Sequence, residues 1–142
     1  MPFKVFVARK IPEAGISLLK KAGLKVEVNN NEHKILSKKE LLKKIKGKDA
    51  LLSLLTDKVD KEVLSSKNLK IVANYAVGFD NINLQEATKK NIIITNTPGV
   101  LTQTVAEHTF ALMMAAARRI AEADKFTRQG KYKAWGPLLF LG

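Results

Sequence analysis

Residues 74–107 read NYAVGFDNINLQEATKKNIIITNTPGVLTQTVAE, and this stretch decides the fold. Two apolar runs, Ile71-Val72-Ala73 just ahead of it and Ile92-Ile93-Ile94 within it, each empty into a polar loop that bears a glycine. A short unbroken run of this kind suits a strand buried on both faces, as in a parallel sheet. The first loop, Ala76-Val77-Gly78-Phe79-Asp80, has one glycine, where backbone can approach a ligand closely. Asn83 suits the N-cap of a helix over 84–90, because its side-chain oxygen can accept an N–H that the first turn leaves unpaired. Asn96-Thr97-Pro98-Gly99 is a turn. Strand, loop, helix, strand is the βαβ unit, and ligands of open α/β sheets sit at the carboxyl ends of such strands.

Towards the N-terminus the same alternation repeats. Phe3–Ala8 reads as a strand, and Pro12 opens a helix through Ala22 in which Ile16, Leu19 and Ala22 recur at helical spacing, with Gly23 as its stop. Lys25–Val28 alternates as a short strand. Ser37 and Glu40 form the capping-box pattern for a helix carrying Leu41, Leu42 and Ile45 and ending at Gly47. Ala50–Leu55 is a third strand, Asp60–Ser65 a short helix, Leu69–Ala73 a fourth strand and Ile92–Thr95 a fifth. The predicted fold is α/β: a flavodoxin-like doubly wound parallel sheet of about five strands over residues 1–99.

The remainder, 100–142, differs in character. Nothing from Leu101 to Gln129 breaks a helix, and Val105, Ala106 and the run Phe110–Ala117 are apolar around most of the circumference. Such a helix must be buried on more than one side. One long protruding helix over 101–129, meeting a second copy of the chain, is the expectation. Beyond it, Lys131–Pro137 reads as a loop and Leu138–Leu141 as an exposed apolar end.

At 142 residues the chain is one domain, or one domain and an appendage, and its 46% hydrophobic content suffices for a core. It has no cysteine, which rules out disulfides, redox thiols and cysteine metal sites and fits a cytoplasmic protein. No apolar run approaches the roughly 18 residues of a membrane span, and the start lacks the pattern of a signal peptide. The net charge of +12 comes mostly from lysine, often as pairs on predicted helices (Lys20-Lys21, Lys38-Lys39, Lys43-Lys44, Lys89-Lys90). Such pairs read as solvated helix faces rather than a nucleic-acid surface, which would favour arginine and stacking aromatics. The lysine bias is compatible with a thermophile.

Val77-Gly78-Phe79-Asp80-Asn81-Ile82, Thr95–Val100 and Val105-Ala106-Glu107 together resemble the D-isomer-specific 2-hydroxyacid dehydrogenases, in the glyoxylate and hydroxypyruvate reductase or phosphoglycerate dehydrogenase branch. Leu51–Asp57, Ala117-Arg118-Arg119, Glu122–Phe126 and the closing Trp135…Phe140-Leu141-Gly142 extend the likeness over nearly the whole chain. The resemblance implies an NAD- or NADP-dependent oxidoreductase reducing a small 2-oxoacid such as glyoxylate, hydroxypyruvate or phosphohydroxypyruvate. It implies substrate contacts from the backbone of Val77 and Gly78, with Leu52 and Ser53 at the pocket wall, and nicotinamide contacts from Val77 and Val105. It also implies a homodimer through the 101–129 helix.

The sequence contains no G-x-G-x-x-G, and the family's catalytic Arg, Glu and His have no counterpart in these residues. Residues 100–142 would then begin a Rossmann nucleotide-binding domain whose remainder is absent. The expectation is a substrate domain truncated before its reaction centre, inactive alone and holding no dinucleotide stably. The alternatives are a non-catalytic dimerisation or binding module and, on charge alone, a nucleic-acid binder. His33 and His108 have neither the spacing of a metal pair nor a partner that would make either a catalytic base. Asp80 reads as a turn or cap residue, since a carboxylate there would repel a 2-oxoacid. Arg9-Lys10 and Ser53 stand where a phosphoacceptor receiver would carry acidic residues, and Arg9–Pro12 where a flavodoxin would carry its phosphate loop.

Overall fold

The computed structural model describes residues 2–140. The elements in chain order are β1 (Lys4–Val7), α1 (Glu13–Lys21), β2 (Lys25–Val28), α2 (Lys38–Ile45), β3 (Ala50–Leu54), α3 (Lys61–Leu64), β4 (Ile71–Tyr75), α4 (Leu84–Lys89), β5 (Ile93–Thr95), α5 (Thr102–Ala117) and α6 (Ile120–Arg128). The strands form one parallel sheet in the order β2-β1-β3-β4-β5, the doubly wound arrangement expected. Two compact units divide at Gly99, the first Met1–Gly99 and the second Val100–Gly142.

In the first unit the two faces of the sheet are covered unequally. Phe6, Leu51 and Val72 project to one side and are sealed by Leu41 and Ile45 of α2, Val63 and Leu64 of α3 and Ala87 of α4. Val5, Val7 and Ala50 project to the other, where Ile16 and Leu19 of α1 pack. The alternation is the two-residue period of a strand, which sends neighbours to opposite faces.

The helix termini follow their sequence signals. Ser37 Oγ accepts the Glu40 N–H while the Glu40 carboxylate accepts the Ser37 N–H, a complete capping box. Asp60 caps α3, and Asn83 caps α4 by accepting the Glu86 N–H. Gly23 and Gly47 take φ of 79° and 72° just past α1 and α2, the left-handed conformation that glycine adopts without steric cost.

The segment expected as one helix over 101–129 is two. α5 ends at Ala117, Arg119 adopts φ 52°, and α6 begins at Ile120. A left-handed residue ends the run of i→i−4 bonds, at a cost of about 1–2 kcal/mol for an L side chain. The Arg118 and Arg119 N–H groups close the end of α5 on the Met114 and Ala116 carbonyls, at 3.0 and 3.1 Å. On the other side of the bend the Arg119 guanidinium binds Glu122 at 2.7 Å and lies over the Phe140 ring. Phe140 in turn meets Phe126 of α6 edge-on, with ring centroids 5.2 Å apart. Part of the terminal apolar run therefore packs within its own unit, while Leu138 is exposed and Leu141 lies outside the described residues.

No helix among the described residues is long and apolar enough to cross a membrane.

Candidate active-site turn

Ser53 of β3 and Asn74 of β4 are register partners, and both stand at the carboxyl end of the sheet. Along β4 the period of two puts Asn74 on the same face as the buried Val72, so an amide is carried into the core. Ser53, Asp57 and Asn74 are the buried polar residues among those described, and all three cluster here.

Their bonds account for the burial. Ser53 Oγ donates to Asn74 Oδ1 at 2.9 Å. Asn74 Nδ2 donates to the Gly78 carbonyl at 2.9 Å and to Asn81 Oδ1 at 3.1 Å. Asn81 Nδ2 donates to the Leu54 and Asp57 carbonyls, at 3.1 and 2.9 Å. The carbonyl partners fix which way round each amide sits, since a flipped amide would set oxygen against oxygen. Asp57 Oδ2 accepts the Leu54 N–H at 2.8 Å and so closes the turn after β3.

Above this layer runs the 76–80 loop. The Thr97 N–H donates to the Ala76 carbonyl at 2.9 Å, and Asn96 Nδ2 donates to the Val77 carbonyl at 2.8 Å. The N–H groups of Val77, Gly78 and Phe79 have no acceptor among the described residues. Backbone donors freed in succession suit an anion. A hollow of about 180 Å³ beside the loop is lined by Phe79, Leu84, Ile94, Thr95 and Asn96.

The residues singled out from sequence are only partly brought together. Ser53 lies beneath the turn through Asn74, and Val77 and Gly78 form it. Leu52 is half-buried on the α1 face of the sheet, packed against the Val5–Ile16 cluster. Val105 is exposed on α5, in the second unit. A Cβ built on Gly78 would stand 3.7 Å from Asp80 Oδ2, so a carboxylate does flank the turn.

Sequence reasoning passed over the holding role of Asn74, Asn81 and Asn96. The available signal was an Asn at the end of an apolar run, in phase with buried positions. It used Arg9 only to exclude other folds and did not foresee its contacts: Nη2 donates to Thr56 Oγ1 at 2.7 Å and lies 3.8 Å from Asp57 Oδ1. Arg9 Nε is buried without a partner among the described residues.

A larger hollow, about 730 Å³, lies away from this turn, between the end of β2 and α2, and includes Lys34, Lys43, Lys44, Lys46 and Lys48. Lys44 and Lys48 pair with Glu27, and Lys34 with Glu40. These bonds hold the Glu27 carboxyl below its usual range and the Glu40 carboxyl down at about 2. Paired lysines on an open groove are solvated structure, and geometry at the strand ends is the better guide to chemistry.

Residues 5–129 match the family described as D-isomer specific 2-hydroxyacid dehydrogenase, catalytic domain. The chain belongs to that family. It is 51% identical over 141 residues to a glyoxylate reductase of Korarchaeum cryptofilum, covering 98% of this chain and 42% of the relative. The TT0316 protein from Thermus thermophilus superimposes with a TM-score of 0.92 at 41% identity, over 99% of this chain and 45% of that one. A putative D-isomer specific 2-hydroxyacid dehydrogenase, NAD-binding, from Polaromonas sp. JS6 66 gives 0.90 at 30% identity, over 100% of this chain and 44% of that one. The chain thus spans less than half the length of each of these three proteins.

The family's dinucleotide does not fit the residues present. A pyrophosphate needs a glycine-rich turn opening a helix. α5 opens at Thr102 after Gly99-Val100-Leu101, with no side-chain cap.

Proposed function

We propose that this chain supplies the substrate-binding part of an NAD- or NADP-dependent 2-hydroxyacid dehydrogenase acting on a small 2-oxoacid, with glyoxylate, hydroxypyruvate and phosphohydroxypyruvate as the candidates. The observation that carries the reading is the row of unpaired N–H groups at 77–79, set on a buried amide network at the carboxyl ends of β3 and β4. In this reading the Val77 and Gly78 N–H groups hold the carboxylate, which places the neighbouring carbonyl carbon for hydride. Ser53 acts from beneath through Asn74. The catalytic Arg, Glu and His of the family are not among these residues, so the chain alone does not turn over. Val77 would touch the nicotinamide of a dinucleotide that residues elsewhere hold.

Self-association belongs to the same reading. α5 has no buried residue, and Phe110, Leu112, Met113 and Met114 are all exposed. A twofold axis lets such a stripe serve as its own complement.

Two measurements test the reading. Assays of glyoxylate and hydroxypyruvate reduction with NADH and NADPH should give no turnover with the pure chain. Rates of about 1–10³ per second would overturn that part. Calorimetric titration with oxamate, an unreactive 2-oxoacid mimic, should show binding that Gly78→Ala abolishes. Gly78 does not have a positive φ, and the added Cβ meets only Asp80 at ordinary contact distance. The variant should therefore keep its stability to within about 1 kcal/mol. Equal oxamate binding by both proteins would remove the turn from the site.

A further inference from the structure

We infer that Asn96 and Asn74 are positioning residues that build the anion site, by drawing consecutive carbonyls of the 76–79 segment inward so that three consecutive N–H groups face away as one cup. The inference rests on the reading of this turn as the carboxylate site. In a trans peptide the C=O of one residue and the N–H of the next lie in one plane and point in opposite directions. All peptides here are trans. The Ala76 carbonyl is taken by the Thr97 N–H, the Val77 carbonyl by Asn96 Nδ2 and the Gly78 carbonyl by Asn74 Nδ2. Each tether aims the N–H of the following residue the other way, and the three together aim Val77, Gly78 and Phe79.

The tethers come from two strands. Asn96 and Thr97 follow directly on β5, and Asn74 lies within β4. The cup is therefore fixed to the sheet on two sides rather than left to the loop's own preferences. A donor on each carbonyl also polarises the peptide, which strengthens its N–H toward an anion. Phe79 joins the site by the same logic, as a third backbone donor. The cup has to hold its anion against the neighbouring Asp80 carboxylate, so donors aimed together matter more than any one of them.

Asn74 is buried, and Asn74→Ala would strip Ser53 and Asn81 of partners in the core, so the half-buried Asn96 decides the matter. The experiment is a ¹⁵N-resolved titration of the chain with oxamate at constant ionic strength. In the unaltered protein the Val77, Gly78 and Phe79 amides should shift together and saturably. Asn96→Ala should raise the apparent Kd about tenfold, the scale of a hydrogen bond to a charged group, and the Gly78 amide should lose most of its shift. The thermal midpoint and the remaining amides should stay in place, and Asn96→Gln, which keeps an amide donor, should restore part of the affinity. Unchanged oxamate affinity in Asn96→Ala, with the unaltered chain binding at 77–79, would overturn the positioning role and leave the proposed function standing. No saturable shift at 77–79 in the unaltered chain would overturn both.

Discussion

α2 and α5 invert the usual relation between composition and burial. α2 is mostly lysine and glutamate on its outer side, yet it buries Leu41 and Ile45 in the core and carries a full capping box. α5 is twice as long, 16 residues against 8, and far more apolar, yet it buries nothing and has no side-chain cap. A narrow apolar stripe with a polar back suits a helix that lies on a sheet of its own unit. Apolar character all round asks for cover that a single short partner helix does not give. Among the described residues α5 has no such cover.

The largest effect that separates the two helices should come from the core. Ile45→Ala removes a side chain with no exposed surface and should cost about 2–5 kcal/mol in urea unfolding of the first unit. A loss as small as that of a surface change would mean that α2 is held by its polar side, which would break the comparison. Met113→Asp should act in the opposite way. It should leave the unfolding of residues 1–99 untouched while lowering self-association, because each such side chain withdrawn from an interface forfeits roughly 1.5–3 kcal/mol. Sedimentation across micromolar concentrations reads this directly. A chain that is monomeric at the outset, or a variant that stays dimeric, would take α5 out of the interface.

A smaller effect is expected at the start of α2, where Ser37→Ala should cost about 1 kcal/mol by removing the cap. The pH dependence sharpens it. Lys34, Ser37 and the Ser37 N–H all favour the ionised Glu40 and hold its carboxyl at about 2, below the ordinary 4.5. A folded-state value below the unfolded one stabilises the fold fully above pH 4.5, and that contribution is lost as pH falls towards 2. Ser37→Ala should show a shallower acid loss over this window in a thermal melt. α5 has no acidic residue in its first turn, and no comparable step should arise from its start.

Much of the first unit was legible because its signals are local. Ser37 with Glu40, Asn83, Gly23 and Gly47 each set a helix end through contacts within a few residues, and each behaves as its spacing implies. The fourth strand was placed two residues early: Leu69 is buried but lies in a turn before β4, so burial mimicked a strand. The bend at Arg119 carries no glycine or proline to announce it. Its support comes from Glu122 and Phe140, and the second of these is 21 residues away in a segment read as an exposed apolar end. The candidate turn was visible as Val77-Gly78, but what aims it was not. Asn74 to Asn81 and Asn96 to Val77 are tertiary bonds, and an asparagine in a turn-rich sequence has many local explanations that compete with them.

The strand order has a consequence for how the protein is made. In β2-β1-β3-β4-β5 every strand after the first pairs with one already synthesised: β2 with β1, β3 with β1, β4 with β3 and β5 with β4. Once β2 has closed one side, the sheet lengthens at the other side only, in the order in which the ribosome delivers it. At each stage the newest strand is a bare edge, and Leu51-Leu52 and then Ile71-Val72 wait there with unpaired backbone. Nascent chains halted between β4 and β5 should therefore be the stickiest intermediates on the ribosome, and their dependence on chaperones should fall once Thr95 has emerged from the exit tunnel.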